Sequence, residues 1–247
     1  MTQFGSEKIL PYNDKERKGI QVIRMFDTIA HAYDKLNHVL SFGLDKGWRK
    51  KGIAFLRPFS PKVILDIATG TGDLAIALCK RLQPEKVIGA DISVGMMEIG
   101  KQKAEKAGVS GQLSFEVQDC TALTYDDCAF DAVTVAFGVR NFENIEQGIA
   151  EMFRVLKPGG HVMILELSTP EHFPVKQGYR IYSKWIIPAV GRFFSKENSA
   201  YHYLPESIKV VPQGEVMANL LRKVGFAEVG VRKLTFGVCS LYTGRKL

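Results

Sequence analysis

Apolar and polar positions change their period along the chain, and each change marks an element. Val63–Ala68 is a continuous apolar run broken only by Asp66, the pattern of a strand buried on both faces. A glycine turn follows, and the apolar positions of 73–82 recur at helical spacing. Lys86–Asp91 reads as a second strand, and Ser93 is placed to cap a helix that ends near Gly108. Leu113–Gln118 and Phe130–Phe137 are the third and fourth strands. Ile145, Ile149, Met152, Phe153 and Leu156 share one helical face, and Pro158-Gly159-Gly160 is expected to stop that helix. His161–Leu167 is the fifth strand. Strands alternating with helices predict an α/β fold with a doubly wound, mostly parallel sheet. Phe226–Leu234 and Thr235–Thr243 are adjacent strand-like runs, so they should pair antiparallel.

The regions on either side depart from that rhythm. Residues 1–60 are polar, basic and aromatic, with helical periodicity around Ile20–Leu40. A basic, aromatic segment follows the fifth strand. The 247 residues fit one domain. It divides into an N-terminal helical cap (1–60), a core (62–168), a lid over the site (170–210) and a closing helix and hairpin (211–247). No stretch approaches the ~18–20 apolar residues of a membrane span. The first residues lack the apolar core of a signal peptide, so a cytoplasmic protein of bacterial type is expected.

Composition adds two limits. Hydrophobic residues at 46% and charged residues at 24% exclude a disordered chain. The net charge of +7 favours an anionic partner: a nucleic acid, a phosphorylated substrate or an anionic membrane face. Cys79, Cys120, Cys128 and Cys239 are scattered, with no C-x-x-C pair and no histidine at ligand spacing, so no metal is expected.

The chemical signal is Asp66-Ile67-Ala68-Thr69-Gly70-Thr71-Gly72-Asp73, a strand end feeding a helix through two glycines. Gly70 and Gly72 let the backbone approach a ligand, and the helix N-terminus turns amides toward it. Gly70-x-Gly72-x-x-Ala75 also satisfies the dinucleotide fingerprint. Charge separates the readings: Asp66 and Asp73 beside the turn would repel a pyrophosphate and tolerate a cationic ligand such as S-adenosylmethionine. Asp91, about 20 residues after the turn at the end of the second strand, suits ribose hydroxyls. Asp119 can accept from an adenine amino group while the Cys120 amide donates to the ring.

These residues, with Leu156-Lys157-Pro158-Gly159-Gly160 before the fifth strand and the final hairpin, resemble class I S-adenosylmethionine-dependent methyltransferases. Three further motifs narrow the resemblance. They are Met25-Phe26-Asp27-Thr28-Ile29-Ala30-His31-Ala32-Tyr33-Asp34 with Leu36-Asn37, Phe137-Gly138-Val139-Arg140-Asn141-Phe142, and Tyr203-Leu204-Pro205-Glu206-Ser207-Ile208. They are similar to those of the C-methyltransferases of ubiquinone and menaquinone biosynthesis, the demethylmenaquinone methyltransferases among them. The resemblance implies methyl transfer from S-adenosylmethionine to a ring carbon of a polyprenylated quinol. Demethylmenaquinol is preferred, and a ubiquinone-precursor benzoquinol is the variant. It implies Gly70, Thr71, Gly72, Asp91, Asp119 and Cys120 as cofactor contacts, with Asp66 beside them. Arg140 and Asn141 follow as active-site residues and Tyr33 as a substrate-side residue. Arg140 would stabilise a phenolate or orient a water, and Tyr33 would orient the ring hydroxyl. Relatives often carry Ser before the Phe-Gly pair, whereas this chain has Ala136.

Residues 176–196 carry Lys176, Arg180, Lys184, Arg192 and Lys196 among Tyr179, Tyr182, Trp185, Phe193 and Phe194, with no acid before Glu197. Basic and aromatic residues together suit peripheral contact with an anionic membrane, a groove for the prenyl tail, or core packing. Three other readings stand beside the quinol one. A nicotinamide-dependent oxidoreductase shares the glycine turn but predicts neither carboxylates beside it nor the hairpin. A nucleic-acid-binding protein would need a basic stripe with stacking aromatics, and none stands apart from 176–196. A small-molecule O-methyltransferase shares the whole cofactor side.

Overall fold

The computed structural model describes residues 4–194 and 199–247, the side chains of 191–194 excepted. Arg192, Phe193, Phe194, Lys196 and Glu197 of the basic segment therefore lie outside the described residues or side chains. Seven strands form one sheet in the order β3-β2-β1-β4-β5-β7-β6. They are β1 (Val63–Ile67), β2 (Lys86–Asp91), β3 (Leu113–Val117), β4 (Phe130–Ala136), β5 (Leu156–Leu167), β6 (Ala227–Leu234) and β7 (Cys239–Arg245). The first five are parallel, and β7 inserts between β5 and β6 antiparallel to both.

Helices α4 (Asp73–Leu82) and α5 (Val94–Lys106) are the crossovers between β1 and β2 and between β2 and β3. Ser93 caps α5 as expected, its Oγ accepting from the Met96 amide at 3.2 Å. Alternate strand residues divide between two cores. Leu65, Ile67, Val133, Val135 and Val162 face α6 (Ile145–Val155) and α10 (Glu215–Val224). Ile64, Ala132, Met163 and Leu165 face α4 and α3 (Leu44–Leu56). The long helix α2 (Lys18–Leu40) follows the short α1 (Gly5–Lys8), and α2 lies across the carboxyl end of the sheet. After β5 come α7 (Val175–Ile181), a π turn at Tyr182–Ile186, α8 (Ile187–Phe194) and α9 (Ser199–Val210). Among the described residues no helix is long and apolar enough to cross a membrane.

Two boundaries differ from the sequence reading for a physical reason. The Pro158-Gly159-Gly160 segment does not end a helix; α6 stops at Val155 because Leu156 already pairs with Phe130 in the ladder. The glycines form a bulge held against the C-terminus, with the Gly159 amide donating to the Lys246 carbonyl at 2.7 Å. The second run of the hairpin is interrupted by a 3-10 turn at Thr235–Gly237, so β7 starts at Cys239.

The strand ends at the switch point decide the site. β1 stops at Ile67 and β4 at Ala136 because Ala68 and Phe137 take left-handed φ values of 51° and 62°. Neither is glycine, and such residues carry strain that the surrounding packing must hold. A Cβ on Gly138 would lie 2.6 Å from the Ala68 Cβ, so the two strand ends meet with room for hydrogen only.

Candidate active site

A cleft of about 220 Å³ opens where β1, β2 and β4 end, the place where open α/β sheets bind ligands. Gly70, Asp91, Asp119, Cys120 and Asn141 line it, together with Ala68 and Phe137. Gly70 holds φ +56°, and a Cβ there would press on Met96 Cε at 3.2 Å. Asp91 fixes the turn: Oδ2 accepts from the Gly70 amide at 2.8 Å and Oδ1 from the Ser93 amide at 2.9 Å. An ionised carboxylate has about four acceptor positions, so two remain for a ligand. Burial raises the Asp91 carboxyl above its ordinary value, against the lowering effect of the Ser93, Gly70 and Ile92 amides. Asp119 Oδ1 accepts from the Thr121 amide and hydroxyl at 2.8 and 2.7 Å, which shapes the turn after β3.

Three of the expected cofactor residues do not line the cleft. Asp66 is 1% exposed and lies under the sheet, accepting from Thr69 Oγ1 at 2.7 Å and Thr134 Oγ1 at 2.6 Å. Thr71 donates to Asp34 Oδ1 at 2.5 Å, on the side of α2 and α5. Gly72 faces the Phe115 ring, which a Cβ would meet at 2.9 Å. These three hold the turn from behind. The charge argument built on Asp66 and Asp73 also changes, because Asp73 is paired with Lys103 at 2.6 Å and Arg49 at 3.4 Å. Nearby acids make His38, Asp45 and Asp73 resemble a metal site, but Arg49 and Lys103 already fill that group with positive charge. Among the described residues, the carboxylates that line the cleft are Asp91, Asp119 and Glu143, and the one basic residue, Arg17, is engaged by Glu143 at 3.1 Å. That field repels a pyrophosphate and suits a cationic nucleoside.

Burial pushes the Asp66 carboxyl up to about 6, against the lowering pull of its two threonine hydroxyls. The unfolded chain ionises this group first, at its ordinary value. Its contribution to stability is therefore full below about pH 4 and lost as pH rises through 6. Asp66→Asn removes that loss, and the threonine hydroxyls can reverse donor and acceptor roles toward the amide. Thermal melts should show the variant gaining a few degrees over the wild type at pH 7.5 and much less at pH 4. Equal differences at both pH values would mean that Asp66 does not titrate in this window.

The front wall is a helix that the glycine turn did not announce. Gly19, Ile20, Val22, Ile23, Phe26 and Tyr33 bring α2 against the cleft. Asp27 Oδ1 accepts from Ser93 Oγ at 2.6 Å and the Gly95 amide at 3.1 Å. Asp34 takes Thr71 and Lys103. The pairs Phe26-Asp27 and Tyr33-Asp34 stand seven residues apart, two turns along one helix face; that spacing was the available signal. Lys18 anchors the start of α2 by donating to the carbonyls of Ser6, Arg140 and Phe142 at 2.7–3.2 Å.

A second cavity of about 330 Å³ adjoins the cleft, lined mainly by apolar groups from α2, α3, α7, the π turn and α9. Leu40, Trp48, Tyr179, Tyr182 and Arg140 are among them. Tyr33 and Phe137 line both spaces, so the strained β4 end forms the partition. Arg140 is buried and paired with Glu166 at 2.7 Å. Burial disfavours its charge, but Glu166 and the neighbouring Tyr33 and Tyr203 more than offset that, and Arg140 is held above the ordinary arginine value. Tyr203 donates to Asn141 Oδ1 at 3.1 Å, which joins the motif of 203–208 to that of 137–142. Burial raises the Tyr33 phenol, so it is a donor at neutral pH.

Residues 13–246 match the model of the ubiE/COQ5 methyltransferase family. The chain belongs to that family. A demethylmenaquinone methyltransferase of Bacteroides fragilis is 56% identical over 98% of this chain and 99% of its own length. The ubiquinone/menaquinone biosynthesis C-methyltransferase UbiE of Geobacter sulfurreducens is 40% identical over 97% and 93%. Among solved structures, the [4+2]-cyclase SpnF covers 92% of this chain and 96% of its own at TM-score 0.66 and 18% identity. That likeness concerns the fold alone, and a cyclase on the same fold shows why residues must decide the reaction.

Proposed function

We propose that this methyltransferase moves the methyl group of S-adenosylmethionine to a ring carbon of demethylmenaquinol, giving menaquinol. What carries the reading is the partition: an acid-lined cleft and an apolar cavity share only the wall of Tyr33 and Phe137. A polar cationic donor and an apolar acceptor ring would meet there. When bound, the cofactor supplies an activated methyl on a sulfonium. Gly70, Asp91, Asp119 and Cys120 would hold it, with Asp66, Thr71 and Gly72 supporting the turn. Most of the acceleration then comes from positioning. Tyr33 orients the acceptor hydroxyl, Arg140 stabilises the developing phenolate, and Asn141 faces the cleft with its carbonyl fixed by Tyr203. Residues 1–60 act as a cap, 62–168 as the cofactor core, 170–210 as the lid and 211–247 as the closing unit. The test offers S-adenosylmethionine with a reduced 2-polyprenyl-1,4-naphthoquinol and, separately, a methoxybenzoquinol. The expected product is the C-methylated naphthoquinol by mass and NMR. An O-methyl ether, or methylation of the benzoquinol alone, would overturn the reading.

The same cavity favours working at a membrane face from the cytoplasm. Phe42, 78% exposed, lines that cavity together with residues of α7 and the π turn, two elements whose Ile181 and Trp185 are 60% and 64% exposed. Lys176, Arg180 and Lys184 stand among them. Each basic residue near an anionic leaflet contributes about 1 kcal/mol, screened by salt. Co-sedimentation with anionic vesicles at low salt, lost in high salt and in a Lys184→Glu, Trp185→Ser double variant, is the expected result. Undiminished binding by the double variant would exclude this segment as the contact.

A further inference from the structure

The strand that follows the partition ends in a buried acid that no part of the methyl-transfer reading uses. Glu166, at the end of β5, is 1% exposed. Its Oε1 accepts from Arg140 Nη1 at 2.7 Å and from the Leu167 amide at 2.9 Å. Its Oε2 accepts from the Arg140 backbone amide at 3.1 Å. One carboxylate thus holds both the backbone and the side chain of Arg140. The second hydrogen of Nη1 goes to the Phe137 carbonyl. Arg140 Nε is buried and has no acceptor, on a side chain that lines the acceptor cavity. Buried donors are almost always satisfied, and none of the described residues supplies this one with an acceptor.

We propose that Glu166 is a positioning residue for methyl transfer: it clamps Arg140 through Nη1 and the backbone, and so keeps the Nε edge of the guanidinium free for the oxygen of the acceptor ring. The inference rests on the proposed reaction only in taking that acceptor to be a quinol hydroxyl. Two consequences of the clamp can be separated. Its geometry holds the fork in register with the oxygen. Its charge balances that of the arginine guanidinium. Tyr33, Tyr179 and Tyr203 face the same guanidinium, the buried Lys18 donates to the Arg140 carbonyl from α2, and Asp45 and Arg49 also line the cavity.

Glu166→Gln removes the charge and leaves a side chain of the same length, and Glu166→Asp keeps the charge but is too short to span both contacts. Turnover should fall about 10²-fold in either variant, as a misplaced group of about 1 Å costs. Affinity for S-adenosylhomocysteine, read by titration calorimetry, should stay within threefold, which also shows that the cofactor side is intact. The pH at which turnover rises separates clamp from scaffold. In Glu166→Gln the uncompensated arginine eases ionisation of the acceptor hydroxyl, so the rising limb moves to lower pH. In Glu166→Asp it stays in place. Wild-type turnover in Glu166→Gln, or a lowered turnover with an unmoved limb, overturns the inference. Should Glu166→Gln fail to fold, Glu166→Asp decides: turnover reduced at least tenfold with an unmoved limb supports the clamp, and wild-type turnover overturns it. Failure of the wild type to methylate any quinol, with cofactor binding retained, would count against the reaction and not against the clamp.

Discussion

Arg140→Lys lowers turnover by about 10²- to 10³-fold and leaves the affinity for S-adenosylhomocysteine within threefold of wild type. The magnitude is that of losing one preorganised donor at a developing oxyanion. Lysine keeps a positive charge near Glu166 but has no planar fork, so it cannot hold the carboxylate and offer a second fixed donor together. Cofactor affinity is spared because the arginine side chain lines the acceptor cavity and not the cleft. Alanine is the less informative replacement. It strands the buried Glu166 carboxylate, and breaking such a pair costs about 3–5 kcal/mol of stability. Melting temperature, calorimetric affinity and steady-state turnover on the lysine variant settle the matter. If affinity and turnover fall by the same factor, Arg140 serves the fold or the cofactor and not the acceptor.

Asp91→Ala weakens S-adenosylhomocysteine binding by about 10²-fold or more. Charge-assisted bonds from the remaining lone pairs to ribose hydroxyls account for about 2–3 kcal/mol of this. The rest comes from the Gly70 and Ser93 amides, which lose the acceptor that sets the turn and the start of α5. Asp91→Asn keeps one carbonyl oxygen and should lose about tenfold. Calorimetric titration of both variants, with melts to exclude global unfolding, gives the order wild type, asparagine, alanine. An alanine variant within threefold of wild type would remove Asp91 from the ligand.

The order of strands and helices was legible because buried parallel strands read as apolar runs, and the helices between them carry one apolar face. Asp66 was misplaced although its location was also written in the chain. Leu65 and Ile67 face the α6 core and Ile64 the opposite one, so strand parity sends Asp66 the way of Ile64, under the sheet. The turn residue Thr71 gives no such clue. Its partner, Asp34, lies 37 residues earlier and meets it only after α2 has packed. The same holds for Lys103, which closes that contact from α5. The Phe137–Phe142 motif does not say that Asn141 lines the cleft and Arg140 the second cavity, with both at a smaller space beside Tyr203. That division follows from the left-handed turn at Phe137, which nothing local in the sequence demands.

Helix α2 fronts the cofactor cleft through Gly19–Phe26 and the acceptor cavity through Asn37 and Leu40, with Tyr33 at both. It is one rod, bolted at Asp27 and Asp34 to the elements around the glycine turn. Whatever tightens it at one end is felt at the other, and such coupling is equal in both directions. On the proposed reaction, a change on this helix would touch both the donor and the acceptor side. A spent donor that keeps the rod in place also keeps the methylated product enclosed. On the proposed reaction, release of the two products is the step that this helix would slow.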